Sequence, residues 1–231
     1  MAGVYSRDGK KIMAAPIIKW VHPSNGQSGI VTGCDSSHEW MLPWWWFNYH
    51  KHNRHPLLIA DFGMSARMRK WCSGIAEVAS IDFPMRLNWF KKPSAILLAK
   101  FERIIWLDTD CEIRGPLDPL FEYATGMAAV PDPFNRWAKG SFNSGVIVAK
   151  HGEPLVESWA AECLNTAERG DQEALAALLA RSKAIVTTLP QQYNRLRIAG
   201  DDPTALVMHW TGPMGKQHIK NLVQHAGHKI P

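Results

Sequence analysis

No apolar run in this 231-residue chain approaches the roughly 20 residues that a membrane-spanning helix needs. The opening stretch, Met1 to Lys11, is polar and lacks the apolar segment of a secretory signal. Cysteine is scarce, and Cys34, Cys72, Cys111 and Cys163 stand far apart with no CxxC pair. That spacing argues against a zinc site or a disulfide framework and for reduced thiols. No Ser/Gly/Pro-rich linker, low-complexity tract or internal repeat divides the chain. The expectation is a cytoplasmic protein built on one domain, peripheral to a membrane at most.

What is present supports a folded domain. Hydrophobic residues make up 46% of the chain, enough for a real core, and the 20% charged share excludes wholesale disorder. The net charge of +5 favours anionic partners, among them nucleotide sugars, acidic membrane surfaces and nucleic acid. The basic excess is strongest at the two ends, where a solvated surface and a functional patch are equally good readings.

Short β-branched runs alternate with helical patterns through the first half. Gly29–Asp35, Pro56–Asp61, Ile75–Ile81 and Arg103–Leu107 read as strands; Pro43–His52, Ser65–Cys72 and Lys92–Phe101 read as helices. The stretch Ile12–Ile18 reads as an edge strand because of Pro16. In the second half Gly145–Ala149 and Ala205–Trp210 read as strands, the latter running into a Gly-rich loop. Pro154–Glu168 and Asp171–Ala180 read as helices there. The alternation predicts an α/β fold with a mostly parallel central sheet flanked by helices. An extension over 1–28, a main domain over 29–216 and a basic tail over 217–231 complete the expected organisation. Ligands of such sheets bind beyond the carboxyl ends of the strands, where Asp35 and Asp108 fall.

Trp106-Leu107-Asp108-Thr109-Asp110 carries the clearest chemistry. Strand alternation would place the two carboxylates on one side, where hard oxygens suit Mg²⁺ or Mn²⁺. A DxD triplet alone is common in turns. This one is embedded in apolar sequence, where unpaired carboxylates are costly.

Several further segments agree with it in order. Gly115-Pro116-Leu117-Asp118-Pro119-Leu120-Phe121 follows the acid pair; Phe142-Asn143-Ser144-Gly145-Val146, Asp171-Gln172, Leu189-Pro190 with Tyr193-Asn194, and His209-Trp210-Thr211-Gly212 come after. With these motifs the chain resembles a GT-A glycosyltransferase (a Rossmann-like nucleotide-diphospho-sugar transferase), closest to glycosyltransferase family 8, the glycogenin and bacterial galactosyltransferase group. The similarity spans about Gly29 to Lys216.

The resemblance implies a retaining enzyme with a UDP-sugar donor and Mn²⁺ or Mg²⁺ held by Asp108, Asp110 and His209. It implies donor contacts from Asp35, Lys92, Asp108, Gly212 and Lys216. Asn143 and Asp171 would hold sugar hydroxyls, with Gln172 near the anomeric carbon. Each position also has a plain structural reading: a loop cap for Asp35, a helix-starting surface lysine for Lys92, an N-cap for Asp171 and a core histidine for His209. One departure stands out. The family's H-x-x-G-x-x-K is one residue longer here, which leaves Lys216 and Lys220 as rivals for the diphosphate.

The acceptor side is open. Trp40, Trp44, Trp45 and Trp46 cluster beside a basic stretch, and read either as a core helix with a wide apolar face or as a stacking surface. A saccharide or glycoconjugate is the first expectation. DNA with hydroxyl-modified bases is the second, and a decayed nucleotide-sugar-binding module the third.

Overall fold

The computed structural model describes residues 16–138 and 140–225. Residues 16–27 run without regular structure, and the rest of the Ile12–Ile18 segment lies outside the described residues. A seven-stranded sheet forms the centre. Its strands are β1 (Ser28–Cys34), β2 (Leu57–Asp61), β3 (Glu77–Ser80), β4 (Arg103–Leu107), β6 (Met127–Pro131), β7 (Phe142–Lys150) and β8 (Thr187–Thr188). They lie in the order β3-β2-β1-β4-β7-β6-β8. Pairings from β3 to β4 are parallel, β7 runs antiparallel to both β4 and β6, and β8 is parallel to β6. The central sheet is therefore mostly parallel, as the sequence pattern predicts.

Strand alternation sends neighbouring side chains into two cores. Ile30, Ile105, Leu107, Val146 and Val148 pack on one face with α1 (Leu42–His52); Val31, Ile104, Trp106, Ile147 and Ala149 pack on the other. That second face is covered by α3 (Lys92–Leu97), α4 (Pro154–Asn165) and α5 (Asp171–Arg181). At the outer edge α2 (Ala66–Cys72) connects β2 to β3 and packs beside β3. The tryptophan cluster is mostly core. Trp44 and Trp45 are buried, Trp45 stacks on Tyr49, and Trp46 lies half-buried against His50.

The topology places the site. After β1 the chain steps outward to β2 and β3, then returns to the other side of β1 for β4. The crevice at that reversal lies outside the carboxyl ends of both strands. Because β7 is antiparallel to β4, its first residues, Asn143 to Gly145, arrive at the same end. The C-terminal end of β6 arrives there too, with a register shift between Ala129 and Val130.

A second sheet of three short strands closes the crevice: β5 (Cys111–Ile113), β10 (Val207–His209) and β9 (Arg195–Leu196) in the order β5-β10-β9. The chain then enters α6 (Gly212–His225), where the sequence suggested a Gly-rich loop. Gly212 turns into it at φ 72°, and Gly215 packs so closely that a Cβ would overlap the Trp210 carbonyl. Glycines and Pro213 at its start hide a helix whose buried apolar residues begin only at Ile219. Among the described residues no helix is long and apolar enough to cross a membrane.

Trp159 ties packing to the site: its buried indole N–H donates to the Asp171 carbonyl at 2.8 Å and locks α5 onto α4. Trp159→Phe keeps an aromatic ring but loses that bond and part of the indole's buried volume. We expect unfolding free energy to fall by about 1–3 kcal/mol in urea titration, with the fold retained by circular dichroism.

Candidate active site

The crevice is a cleft of about 570 Å³. Asp108 and Asp110 enter it from a tight turn rather than from a strand. β4 ends at Leu107, and the Cys111 N–H closes the turn on the Asp108 carbonyl at 3.0 Å. Strand alternation is thus not what gathers the acids; the turn between β4 and β5 does. The end of β4 is in turn fixed by the buried Thr32 hydroxyl, which donates to the Leu107 carbonyl at 2.7 Å.

The His209 imidazole faces both acids because β10 pairs with β5, placing His209 opposite Cys111. Its Nε2 lies 3.1 Å from Asp110 Oδ1 and 4.0 Å from Asp108 Oδ2. The tautomer follows from the far side of the ring. Asn143 Oδ1 accepts from the Gly145 N–H, and Asn143 Nδ2 donates to the Asp132 carboxylate, so that amide can point only one way. Nδ1 of His209 faces Asn143 Oδ1 at 3.1 Å and Asn194 Oδ1 at 3.0 Å. Two acceptors there place a proton on Nδ1, which leaves Nε2 as the nitrogen that faces the two carboxylates.

That donor set fits a divalent cation. Asp110, Cys111 and His209 each place a ligand atom within 4.8 Å of the others. The Cys111 thiol donates to the Gly145 carbonyl at 3.7 Å, and burial with the charges of Asp110 and Asp108 raises its pKa well above the ordinary thiol range. With Asp108 nearby, Asp110 and His209 would make an oxygen-rich set suited to a hard ion. Gly145 makes room for it, since a Cβ there would overlap the imidazole.

Cations already flank the acids. Lys92 is buried, with Nζ 3.0 Å from Asp108 Oδ1, 2.9 Å from Asp171 Oδ2 and 3.0 Å from the Ser144 hydroxyl. Burial acts to strip its proton, but the two carboxylates prevail and hold it charged above the usual lysine range. Asp171 is pushed upward by its own burial and by Asp108, which competes for the one ammonium. Lys216 Nζ sits 3.1 Å from Asp110 Oδ2. Burial would raise the Asp110 carboxyl, yet His209 and Lys216 hold it well below the ordinary range.

Asp35 caps its own loop. It accepts from the Ser37 N–H and hydroxyl at 3.0 and 2.6 Å, pairs with His38 Nδ1 at 3.0 Å, and accepts from Asn88 at 2.9 Å. Partial burial works against the charge, but these bonds bring its pKa down to about 2.

No family model matches the sequence, and no curated protein does. Solved structures do. The glycosyltransferase GlyE of Streptococcus pneumoniae superposes with a TM-score of 0.59 at 17% identity, over 89% of this chain and 66% of that one. The galactosyltransferase LgtC, solved with donor and acceptor sugar analogs, gives 0.59 at 16% identity, over 88% of this chain and 97% of LgtC. Mouse xyloside xylosyltransferase 1 gives 0.52 at 12% identity, over 82% and 97%. At these identities the likeness establishes the fold. The fold is GT-A.

In this GT-A chain the cleft gathers all ten residues singled out by sequence: Asp35, Lys92, Asp108, Asp110, Asn143, Asp171, Gln172, His209, Gly212 and Lys216. The structure also separates the two rival lysines. Gly212 and Lys216 are one helical turn apart on α6, so the extra residue is absorbed in the helix and Lys216 faces the cleft. Lys220 lies over the Trp40 ring instead. Lys92 starts α3 as expected but is buried, not at the surface. Asp171 is the first helical residue, with Gly170 in the capping position, so its carboxylate is free to meet Lys92.

Sequence reasoning missed Asp132 and the second role of Trp106, and it named Asn194 only within a motif, without a role. Asp132 Oδ2 accepts from Gln172 Nε2 at 2.8 Å and Asn143 Nδ2 at 3.2 Å, and so orients both amides. The Trp106 indole donates to Asp108 Oδ1 at 2.7 Å. An acid directly after the apolar run Met127–Pro131 was the available signal for Asp132.

Gly145→Ala should displace His209 and weaken Mn²⁺ binding about 10–100-fold in an electron paramagnetic resonance titration; unchanged affinity would remove His209 from the ligand set. The Asp35 bonds carry a pH signature. A depressed carboxyl stabilises the fold in full above its ordinary 3.8, and the contribution is lost as pH falls toward about 2. Acid unfolding of Asp35→Asn should be less steep across that window.

Proposed function

We propose that this chain is a metal-dependent glycosyltransferase that moves a hexose from a UDP-sugar to a saccharide or glycoconjugate acceptor with retention of configuration. One observation carries the reading: the imidazole Nε2 of His209 faces Asp108 and Asp110, with Lys216 beside them and Gln172 across the same cleft. A structural neighbour solved with donor and acceptor sugar analogs agrees with such a use of the cleft.

Mn²⁺ or Mg²⁺ on Asp108, Asp110 and His209 would supply positive charge against the nucleotide diphosphate. The chain's own groups do the rest. Lys216 and the N-terminal turn of α6, which begins at Gly212, face the same space and suit the leaving phosphates. Lys92 holds Asp171 and Asp108 in place while neutralising them. Asp171 would hold sugar hydroxyls, while Asn143, engaged at both ends of its amide, would orient Gln172 and His209. Gln172 Oε1 accepts from Asn143 Nδ2 at 3.1 Å and the Ser144 N–H at 3.3 Å, so its dipole is fixed before substrate arrives.

The transfer is a front-face exchange. The acceptor oxygen bonds to the anomeric carbon as the bond from that carbon to the phosphate oxygen breaks. UDP departs with the electron pair, and the hydroxyl proton passes to the departing phosphate oxygen. Gln172 stabilises the positive charge at the anomeric carbon. Asp132, the other carboxylate near the pair, is engaged by two amide donors and serves as an orienting group.

UDP release from a panel of UDP-sugars with Mn²⁺ tests the reading. Asp110→Asn should lower it on the order of 10²-fold or more, and chelation should do the same. Absence of donor turnover across the panel would favour a nucleotide-sugar-binding module. A glycosyl adduct on Asp132 or another side chain in mass spectrometry would replace the front-face route with a covalent one.

A further inference from the structure

The mouth of the cleft carries a group that the donor chemistry leaves unused. Trp137 is 56% exposed and lines the cleft, and two guanidiniums sit on its ring: Arg169 at 4.2 Å from the centroid and Arg136 at 4.8 Å. They come from different elements, Arg136 from the loop after β6 and Arg169 from the loop between α4 and α5. Both are exposed, and among the described residues neither is paired with an acid.

A guanidinium stacked on an indole keeps its in-plane N–H donors pointing outward, the geometry that receives a carboxylate or phosphate through two parallel bonds. The loop that presents Arg136 and Trp137 is itself pinned by hydrogen bonds. Asp132 Oδ1 accepts from the Phe134 N–H at 3.0 Å, and Asn135 Oδ1 accepts from the Trp137 N–H at 2.9 Å. Asn135 Nδ2 also donates to Glu173 Oε1 at 2.9 Å, tying the loop to α5 one residue from Gln172. Trp89, 42% exposed, adds a second indole to the lining.

We propose that Arg136 and Arg169, ordered by Trp137, form an acceptor subsite for a saccharide bearing an anionic group, a carboxylate or a phosphate. The proposal rests on the glycosyltransferase reading and names the acceptor class for it. A saccharide suits the rim better than nucleic acid. Two free guanidiniums beside the acids Glu168 and Glu173 make a local site, whereas duplex binding uses a row of roughly 6–10 phosphate contacts.

The test uses the full chain with Mn²⁺ and a consumed UDP-sugar. Matched neutral, uronate-containing and phosphorylated oligosaccharides serve as acceptors, and duplex DNA with hydroxymethylated bases as a further arm. We expect kcat/KM for one anionic class at least tenfold above the neutral match. The uronate and phosphate arms decide which anion it is. In Arg136→Gln/Arg169→Gln the preference should fall to near one, mainly through KM, and Arg169→Lys should keep only part of it. Equal use of neutral and anionic acceptors overturns the proposal, as does a preference that survives in the double variant or DNA outcompeting every saccharide. If no UDP-sugar is consumed, the transferase reading fails. The subsite is then judged by calorimetric binding of the same oligosaccharides to native and double-variant protein: a preference lost on substitution supports it, and equal binding overturns it.

Discussion

The amide of Asn143 is the hinge of the site. The Gly145 N–H and the Asp132 carboxylate leave it one orientation, and that orientation places the His209 proton on Nδ1. The side of the cleft that would hold a metal follows from Nε2 being the nitrogen this leaves to face Asp108 and Asp110. The same Asn143 donates to Gln172, so one residue at the start of β7 sets the histidine on one side and the glutamine on the other. A buried network of this kind is useful only when every member is satisfied, because each unpaired group in a low-dielectric interior costs its full desolvation. Here the members satisfy one another before any substrate is present.

The antiparallel strand β7 makes that possible. In a wholly parallel sheet the start of a strand would lie at the far end from Asp35 and Asp108. Reversing β7 brings Asn143, Ser144 and Gly145 to the carboxyl ends of β1 and β4. The small sheet then folds His209 over the turn, with the Trp210 N–H donating to the Asp110 carbonyl at 3.0 Å. Charge is balanced across the same space. Asp108, Asp110 and Asp171 share Lys92 and Lys216, and Asp132 is met by amide donors.

The cleft divides its labour by depth. Charged and amide groups lie inside around Asp108, while the exposed indoles and guanidiniums of Trp89, Trp137, Arg136 and Arg169 lie at the mouth. The tryptophans that draw the eye in the sequence, Trp44 and Trp45, pack in the core on α1 and line no part of the cleft. A run of tryptophans is a strong signal of burial and a weak one of function, because the same ring fills a core and stacks on a sugar.

Local pattern alone determined the alternation of β1, β2, β3 and β4 with helices, since β1, β2 and β4 are apolar on both faces and the first turns of the helices are marked by Pro43, Ser65 and Pro93. It also marked the acids and the ordered motifs, because carboxylates, Asn-Ser-Gly and His-x-x-Gly are chemically conspicuous at any distance. It did not reveal β5, β6 or β9. Two and three residues show no period, and Met127–Pro131 is rich in alanine, so those strands exist only because β10 and β7 are there to pair with them. Nor could it say that Lys92 is buried between two carboxylates, that α6 turns Lys216 inward, or that Asp132 holds Asn143 and Gln172. Those are contacts between residues tens of positions apart, and only the packed chain brings them within hydrogen-bonding reach.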